Sequence, residues 1–309
     1  MKKLLLKLTV YILAIVVSLE LIIRVCHLYT EDPVRYIDSL GVEKRIPNQS
    51  GYAVTGNRNQ NLSEFRINNS GFNSFREFNP SYKKKEIALV GDSFIEGFHQ
   101  DYDKSTGKKI ETNLNNDFEV YEYGYAGYDL ANELHLINAY SKKFDLIDYI
   151  IVYLNYPTDL HRSKYIPDRY RISLLSSPLF KIRDQIKLLS YCSSIGILEP
   201  FKELAIDKEN EVVENTENDK SEFLENFKKL LHAYPIDKQK TFFLIDSRIT
   251  NTSFLNFCDS NGYKYIDYGK SFMLEKKSTT LIYDQHWNDL GRTIIADVIT
   301  KKIQSIKSR

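Results

Sequence analysis

The sequence predicts an α/β fold: a three-layer αβα sandwich with a mostly parallel central sheet, preceded by one transmembrane helix. Three observations predict it. Short apolar runs recur at Glu86–Val90, Phe118–Tyr123, Asp148–Leu154, Thr241–Ile245 and Tyr263–Ile266. Segments with helical spacing lie between them, for example Leu130–Phe144 and Phe223–Ala233, and a last one runs from Asn288 to Ile306. Buried strands that alternate with helices form a parallel sheet covered on both faces. The third observation is the opening stretch, KKLLLKLTVYILAIVVSLELIIRVCHLY, which is apolar over bilayer length from Leu4 to Val25.

In that first element Lys2, Lys3 and Lys7 precede the purest apolar run, Leu8–Leu19, while Glu31 and Asp32 follow the segment. Basic residues before and acidic ones after favour a cytoplasmic N-terminus. Glu20 and Arg24 stand i,i+4 and can pair on one helix face near the far interface. A cleaved signal peptide is the rival reading, but the run is followed by Glu-Leu-Ile-Ile-Arg and not by a small-x-small cleavage site. The expectation is an uncleaved single-pass anchor in the inner (cytoplasmic) membrane. The remainder of the chain would then lie on the extracytoplasmic side.

Residues 29–80 follow as a linker and pre-domain loops. The stretch Glu31–Lys85 is rich in Asn, Gly and Ser without helical period, and a short hairpin is expected around EFRINNSGFNSF. Residues 81–309 form the main domain, with a polar insertion at about 202–220 (KELAIDKENEVVENTENDK). The composition narrows the function. Lys+Arg (42) and Asp+Glu (41) nearly balance, so no basic face for nucleic acid is indicated. Cys26, Cys192 and Cys258 follow no metal-ligand spacing; Cys192 and Cys258 either pair or remain free thiols. The segment GDSFIEG lacks the Lys-Ser/Thr of a P-loop and matches no dinucleotide fingerprint. No cofactor and no metal are called for.

The chemistry concentrates in two short motifs. In EIALVGDSFIEGFHQD an apolar run ends at Gly91-Asp92-Ser93. Ser93 there is either a helix cap or a nucleophile at the carboxyl end of a strand, where open α/β sheets build their sites. A serine nucleophile needs a base, and the base an orienting acid. Of the six histidines, His27 lies at the membrane boundary and His135 and His232 sit in helical patterns. His99 and His161 lie in loops without an obvious acid companion, although Asp159 is close to His161. His286 is different. In LIYDQHWNDLGR, Asp284 stands two residues before it, on the same side of an extended segment, and can reach its Nδ1–H. That leaves Nε2 for Ser93, and Asn288 reads as the cap of the last helix.

GDS after an early strand and D-x-H-W-N before the last helix resemble the SGNH/GDSL hydrolase family. The closer resemblance is to its membrane-anchored bacterial members and the SGNH domains of glycan O-acetylation proteins. It extends from about Arg66, in RINNSGF, to the C-terminus. It implies a flavodoxin-like SGNH fold with Ser93, His286 and Asp284 as the catalytic triad. It also implies an oxyanion hole built from the backbone N–H groups of Ser93 and Gly127, with Gly124 as companion glycine in EVYEYGYAGYDLANEL. In the family's third block Asn directly precedes Asp. Here IIVYLNYPTDLHR has Thr158 before Asp159, with Asn155 three residues earlier, so either could supply the donor. The implied activity is that of a serine esterase or acyltransferase on acyl groups of a cell-surface glycan. The alternatives are a catalytically weak or inactive component of a surface-polysaccharide assembly complex, and a lipase. The expected partners are an acylated carbohydrate or other ester, the membrane, and polysaccharide-assembly proteins.

Overall fold

The structure, a computed structural model, describes residues 1–56, 61–197 and 219–307. Its strands are β1 (Arg35–Ile37), β2 (Glu43–Arg45), β3 (Ser50–Thr55), β4 (Asn61–Arg66), β5 (Lys85–Gly91), β6 (Phe118–Gly124), β7 (Tyr149–Leu154), β8 (Thr241–Ile245) and β9 (Lys264–Asp267). The helices in its first half are α1 (Lys2–Val25), α2 (Ser93–Glu96), α3 (Thr106–Asn113), α4 (Leu130–Ala139), α5 (Ser141–Phe144) and α6 (Tyr156–Asp159). Those in the second are α7 (Arg169–Ser176), α8 (Pro178–Gln185), α9 (Lys187–Ser194), α10 (Asp219–Ala233), α11 (Thr252–Ser260), α12 (Gly269–Leu274) and α13 (Asp289–Lys307). Apart from Asp219 and Lys220, which open α10, the expected polar insertion lies outside the described residues.

The chain divides into two compact units, bounded by 1–32, 52–63 and 169–213 for the first and 33–51, 64–168 and 214–309 for the second. In the first unit α1 is a 24-residue helix with mean hydropathy 2.3 over its most apolar window, long and apolar enough to cross a membrane. Its two charges near the far end are both used. The Glu20 carboxylate pairs with Arg24 at 2.6 Å and accepts the N–H groups of Lys187 and Leu188, at 3.0 and 2.7 Å. Those N–H groups open α9, so Glu20 satisfies donors that a helix start leaves unpaired. Arg24 reaches on to the carbonyl of Gln185 at 2.7 Å.

The second unit is built on a five-stranded sheet in the order β6-β5-β7-β8-β9, with every neighbouring pair parallel. Alternation along the strands sends side chains to two cores. Ala88 and Val90 of β5 join α4, α5, α10 and α11 on one face, through Leu134, Phe144, Phe227 and Phe254. Ile87 and Leu89 join α3, α12 and α13 on the other, through Ile110, Phe272, Ile295 and Ile299. This is the expected αβα sandwich, and each of the five expected strands lies within one residue of the observed one at either end. One helix differs. The Leu130–Phe144 pattern is broken at Tyr140 (φ −109°, ψ 29°), whose hydroxyl is held by Asp38 and Lys44.

Strand order reverses at β5, which is the first strand of the sheet in sequence and has β6 on one side and β7 on the other. A crevice opens at such a switch point, outside the carboxyl ends of the strands. The register pairs Val90 with Val152 and Gly91 with Gly124, so the segments after β5, β6 and β7 emerge together at that edge.

The polar stretch before β5 carries four short strands. In β2, Glu43, Lys44 and Arg45 are all buried despite their charges. Each has partners: Glu43 accepts from Asn132 and the Asp168 N–H, Lys44 pairs with Asp38 at 2.8 Å, and Arg45 pairs with Glu96 at 2.9 Å. Buried charges are tolerated on those terms. The chain reverses between Ile67 and Asn73, which bridge, with Gly71 at φ +87°.

Candidate active site

Ser93 is the first residue of α2. Asp92 caps that helix, its carboxylate accepting the Phe94 N–H at 2.8 Å. The cap role is therefore taken by Asp92, and the Ser93 hydroxyl is free for another partner. That partner is His286, whose Nε2 lies 2.7 Å from Ser93 Oγ. On the far side of the ring, Nδ1 is hydrogen-bonded to Asp284 Oδ1, which also accepts the His286 backbone N–H at 2.9 Å. Serine, imidazole and carboxylate thus form one hydrogen-bonded chain across 193 residues of sequence.

The loop that carries His286 is anchored at both ends. Trp287 is buried against Phe94, Tyr153 and Tyr268, with ring centroids 4.9, 5.2 and 5.7 Å away. Asn288 accepts the Gly291 N–H at 3.0 Å and donates to the carbonyls of Ser278 and Thr280 at 2.7 and 3.0 Å. Burial works to raise the Asp284 carboxyl, but the hydrogen bonds and charge of His286 outweigh it and hold Asp284 below the ordinary carboxylate value. Asp284 is therefore ionised, as an acid that orients a histidine base must be.

His99 is a feature that sequence reasoning passed over. Its acid companion is Asp284, 185 residues away: His99 Nε2 lies 3.1 Å from Asp284 Oδ2. The local signal was absent because the partner is contributed by another loop. His99, Asp284 and His286 place one ligand atom each within 4.8 Å of one another, the group of His and carboxylate side chains among the described residues that could also hold a metal ion.

The glycines that follow β6 have separate physical reasons. A Cβ on Gly124 would stand 2.0 Å from the Glu96 nitrogen, so glycine is what lets α2 approach β6. Gly127 has φ +95°, a conformation that side chains disfavour. Its turn is pinned from both sides: Glu96 accepts the Ala126 N–H at 2.9 Å, and Arg35 donates to the Ala126 carbonyl at 2.9 Å. The N–H groups of Ser93 and Gly127 have no hydrogen-bond partner among the described residues.

At the end of β7 the two candidate donors differ. The Thr158 hydroxyl donates to Asp159 Oδ1 at 2.8 Å, and Asp159 Oδ2 accepts the Asn155 backbone N–H at 2.7 Å. The Asn155 side-chain amide makes no such bond, sits at the carboxyl end of β7, and is part-exposed. Two carboxyls near this edge of the sheet, the part-buried Asp92 and the buried Asp159, are shifted upward. Burial raises Asp92 to about 7, and burial together with the charge of Asp92 pushes Asp159 well above the usual carboxylate range. All three cysteines are free thiols.

No family model and no curated protein matches the chain. Among solved structures it is similar to a lipolytic protein of the G-D-S-L family from Veillonella parvula, at 11% identity over 71% of this chain and 98% of that one, with a TM-score of 0.40. A psychrotrophic esterase from a Pseudoalteromonas species is 12% identical over 73% and 100%, with a TM-score of 0.39. A carbohydrate acetylesterase from Sinorhizobium meliloti is 9% identical over 72% and 100%, with a TM-score of 0.43.

Proposed function

We propose that this chain is a serine esterase or acyltransferase of the SGNH type, acting on acyl groups, acetyl above all, of a cell-surface glycan. The observation that carries the reading is the hydrogen-bonded run from Ser93 through His286 to Asp284. In the proposed mechanism His286 Nε2 takes the Ser93 proton as Oγ bonds to the ester carbonyl carbon. The carbonyl oxygen becomes an oxyanion facing the N–H groups of Ser93 and Gly127, with the Asn155 amide as third donor. Collapse breaks the bond to the leaving alcohol, which takes the proton from His286 and leaves an acyl-serine. Water, in an esterase, or a sugar hydroxyl, in a transferase, gives up a proton to His286, attacks the acyl carbon and frees Ser93. Asp284 stabilises the imidazolium formed in each half.

The glycan target rests on the resemblance of GDS and D-x-H-W-N to SGNH domains of glycan O-acetylation proteins and on the apolar α1. In this reading residues 1–28 anchor the protein by a single pass in the cytoplasmic membrane. Residues 81–309 act outside the cytoplasm, near polysaccharide-assembly proteins. Detergent-solubilised full-length protein is expected to hydrolyse a short-chain aryl ester and to lose that activity in Ser93→Ala. Activity that survives Ser93→Ala would sink the mechanism.

One observation favours a second reading, a weak or inactive component of a polymer-assembly complex. Thr158 stands where the family has Asn, and its hydroxyl is already taken by Asp159. No labelling of Ser93 by a fluorophosphonate, with cross-linking to export proteins, would select that reading.

A further inference from the structure

We infer that His99 is a positioning residue of this site: it holds the second oxygen of Asp284 and packs flat on His286, fixing the acid and the base in the orientation that Ser93 requires. This rests on the triad reading above. The Asp284 carboxylate is shared between two imidazoles, one on each oxygen. Oδ1 meets His286 Nδ1, and Oδ2 lies 3.1 Å from His99 Nε2. The two rings are stacked, with centroids 4.0 Å apart and planes 20° from parallel, while Phe94 touches His286 at 4.6 Å. His99 reaches this place because α2 ends at Gly97 in the left-handed conformation (φ +70°), which turns the chain leaving the nucleophile back over the base.

A carboxylate held by one oxygen can rotate; a donor on the other oxygen removes that freedom. Groups that orient metal-ligating side chains from behind are worth roughly 10- to 100-fold, and a group that orients the acid of a triad is expected to act on the same scale. Burial, with the neighbouring His286 and Arg292 outweighing Asp284 and Glu96, lowers His99 to about 4. The Nε2–Oδ2 separation of 3.1 Å puts the ring nitrogen within reach of the carboxylate that stabilises the imidazolium. A neutral ring face is also a better neighbour for that imidazolium than a second cation.

The test uses full-length protein in detergent, hydrolysis of p-nitrophenyl acetate, and the rate of fluorophosphonate labelling at Ser93. His99→Phe keeps the stacked ring and removes the donor; His99→Gln removes the ring and keeps an N–H of similar reach. The expected result is a loss of about 10- to 100-fold in kcat for His99→Phe, with KM changed less than about twofold. His99→Gln should recover to within about fivefold of the parent. Should His99→Phe not fold, His99→Asn, whose amide is too short to reach Asp284, is compared with His99→Gln for the same difference. Equal losses in the donor and non-donor variants, or a parental kcat without the donor, would overturn the role of His99. Absence of labelling at Ser93 in the parent would instead overturn the triad reading.

Discussion

Asn155 and Thr158 compete for one role, and their hydrogen bonds separate them. Thr158 spends its hydroxyl on Asp159, whereas the Asn155 amide is uncommitted at the mouth of the crevice. One preorganised oxyanion donor is worth ~3 kcal/mol. Asn155→Ala should therefore lower kcat for an aryl ester by about 100-fold, and Thr158→Ala by no more than about threefold. Steady-state kinetics with both variants checks this, and the reverse order would assign the donor to Thr158. Asp92 makes a different prediction, on stability. It keeps some surface open, yet burial raises it to about 7, above its ordinary 3.8. The folded state thus holds the proton more tightly than the unfolded chain. This favours folding below about pH 4, and the advantage is lost as pH rises toward 7. Asp92→Asn keeps an oxygen for the Phe94 N–H and has no charge to bury. It should match the parent in thermal melts near pH 4 and exceed it by ~1–2 kcal/mol near pH 8, partial exposure limiting the gain.

At the scale of elements, α2 and the turn after β6 are held as a pair by Glu96. That side chain is buried, pairs with the buried Arg45 of β2, and accepts the Ala126 N–H beside Gly127. A segment with the composition of a linker thus braces both proposed oxyanion donors. Glu96→Gln leaves a buried guanidinium short of its counter-charge, which costs ~3–5 kcal/mol when a partner of a buried pair is removed. The expected outcome is a melting temperature lowered by several degrees together with a reduced kcat; an unchanged melt would show that the brace is idle. Legibility also divides by element. Four of the five central strands could be read because each is a run of residues buried on both faces, a property of local sequence; β9 is only partly buried and was legible from its short run of Tyr and Ile. The Asp284–His286 pair could be read because two residues of spacing suffice to join them. Glu43, Lys44 and Arg45 could not. Their burial depends on Asn132, Asp38 and Glu96, and the Arg45–Glu96 partners stand 51 residues apart, where no periodicity links them. The contact between His99 and Asp284 was not legible for the same reason.

For the whole molecule, the 2-1-3-4-5 order of the parallel sheet determines where chemistry is possible. With β5 at the switch point, the ends of β5, β6 and β7 bring Ser93, Gly127 and Asn155 to one edge, and the loop before α13 adds His286. The other molecular property is α1. Glu20 and Arg24 near its far end are matched within its own unit, and its apolar side chains are exposed along nearly its whole length. In phase separation with a cloud-point detergent, the full chain is expected in the detergent phase and a chain without residues 1–28 in the aqueous phase. Equal partitioning would remove the anchor from the account. The central claim is that Ser93 is a nucleophile activated by His286, and site-mapped labelling tests it most directly. Full-length protein treated with a fluorophosphonate should gain one adduct, mapped to Ser93 by peptide mass. His286→Ala should fold as the parent does and label at least about 100-fold more slowly. An adduct elsewhere, or labelling of Ser93 at the same rate without His286, would contradict it.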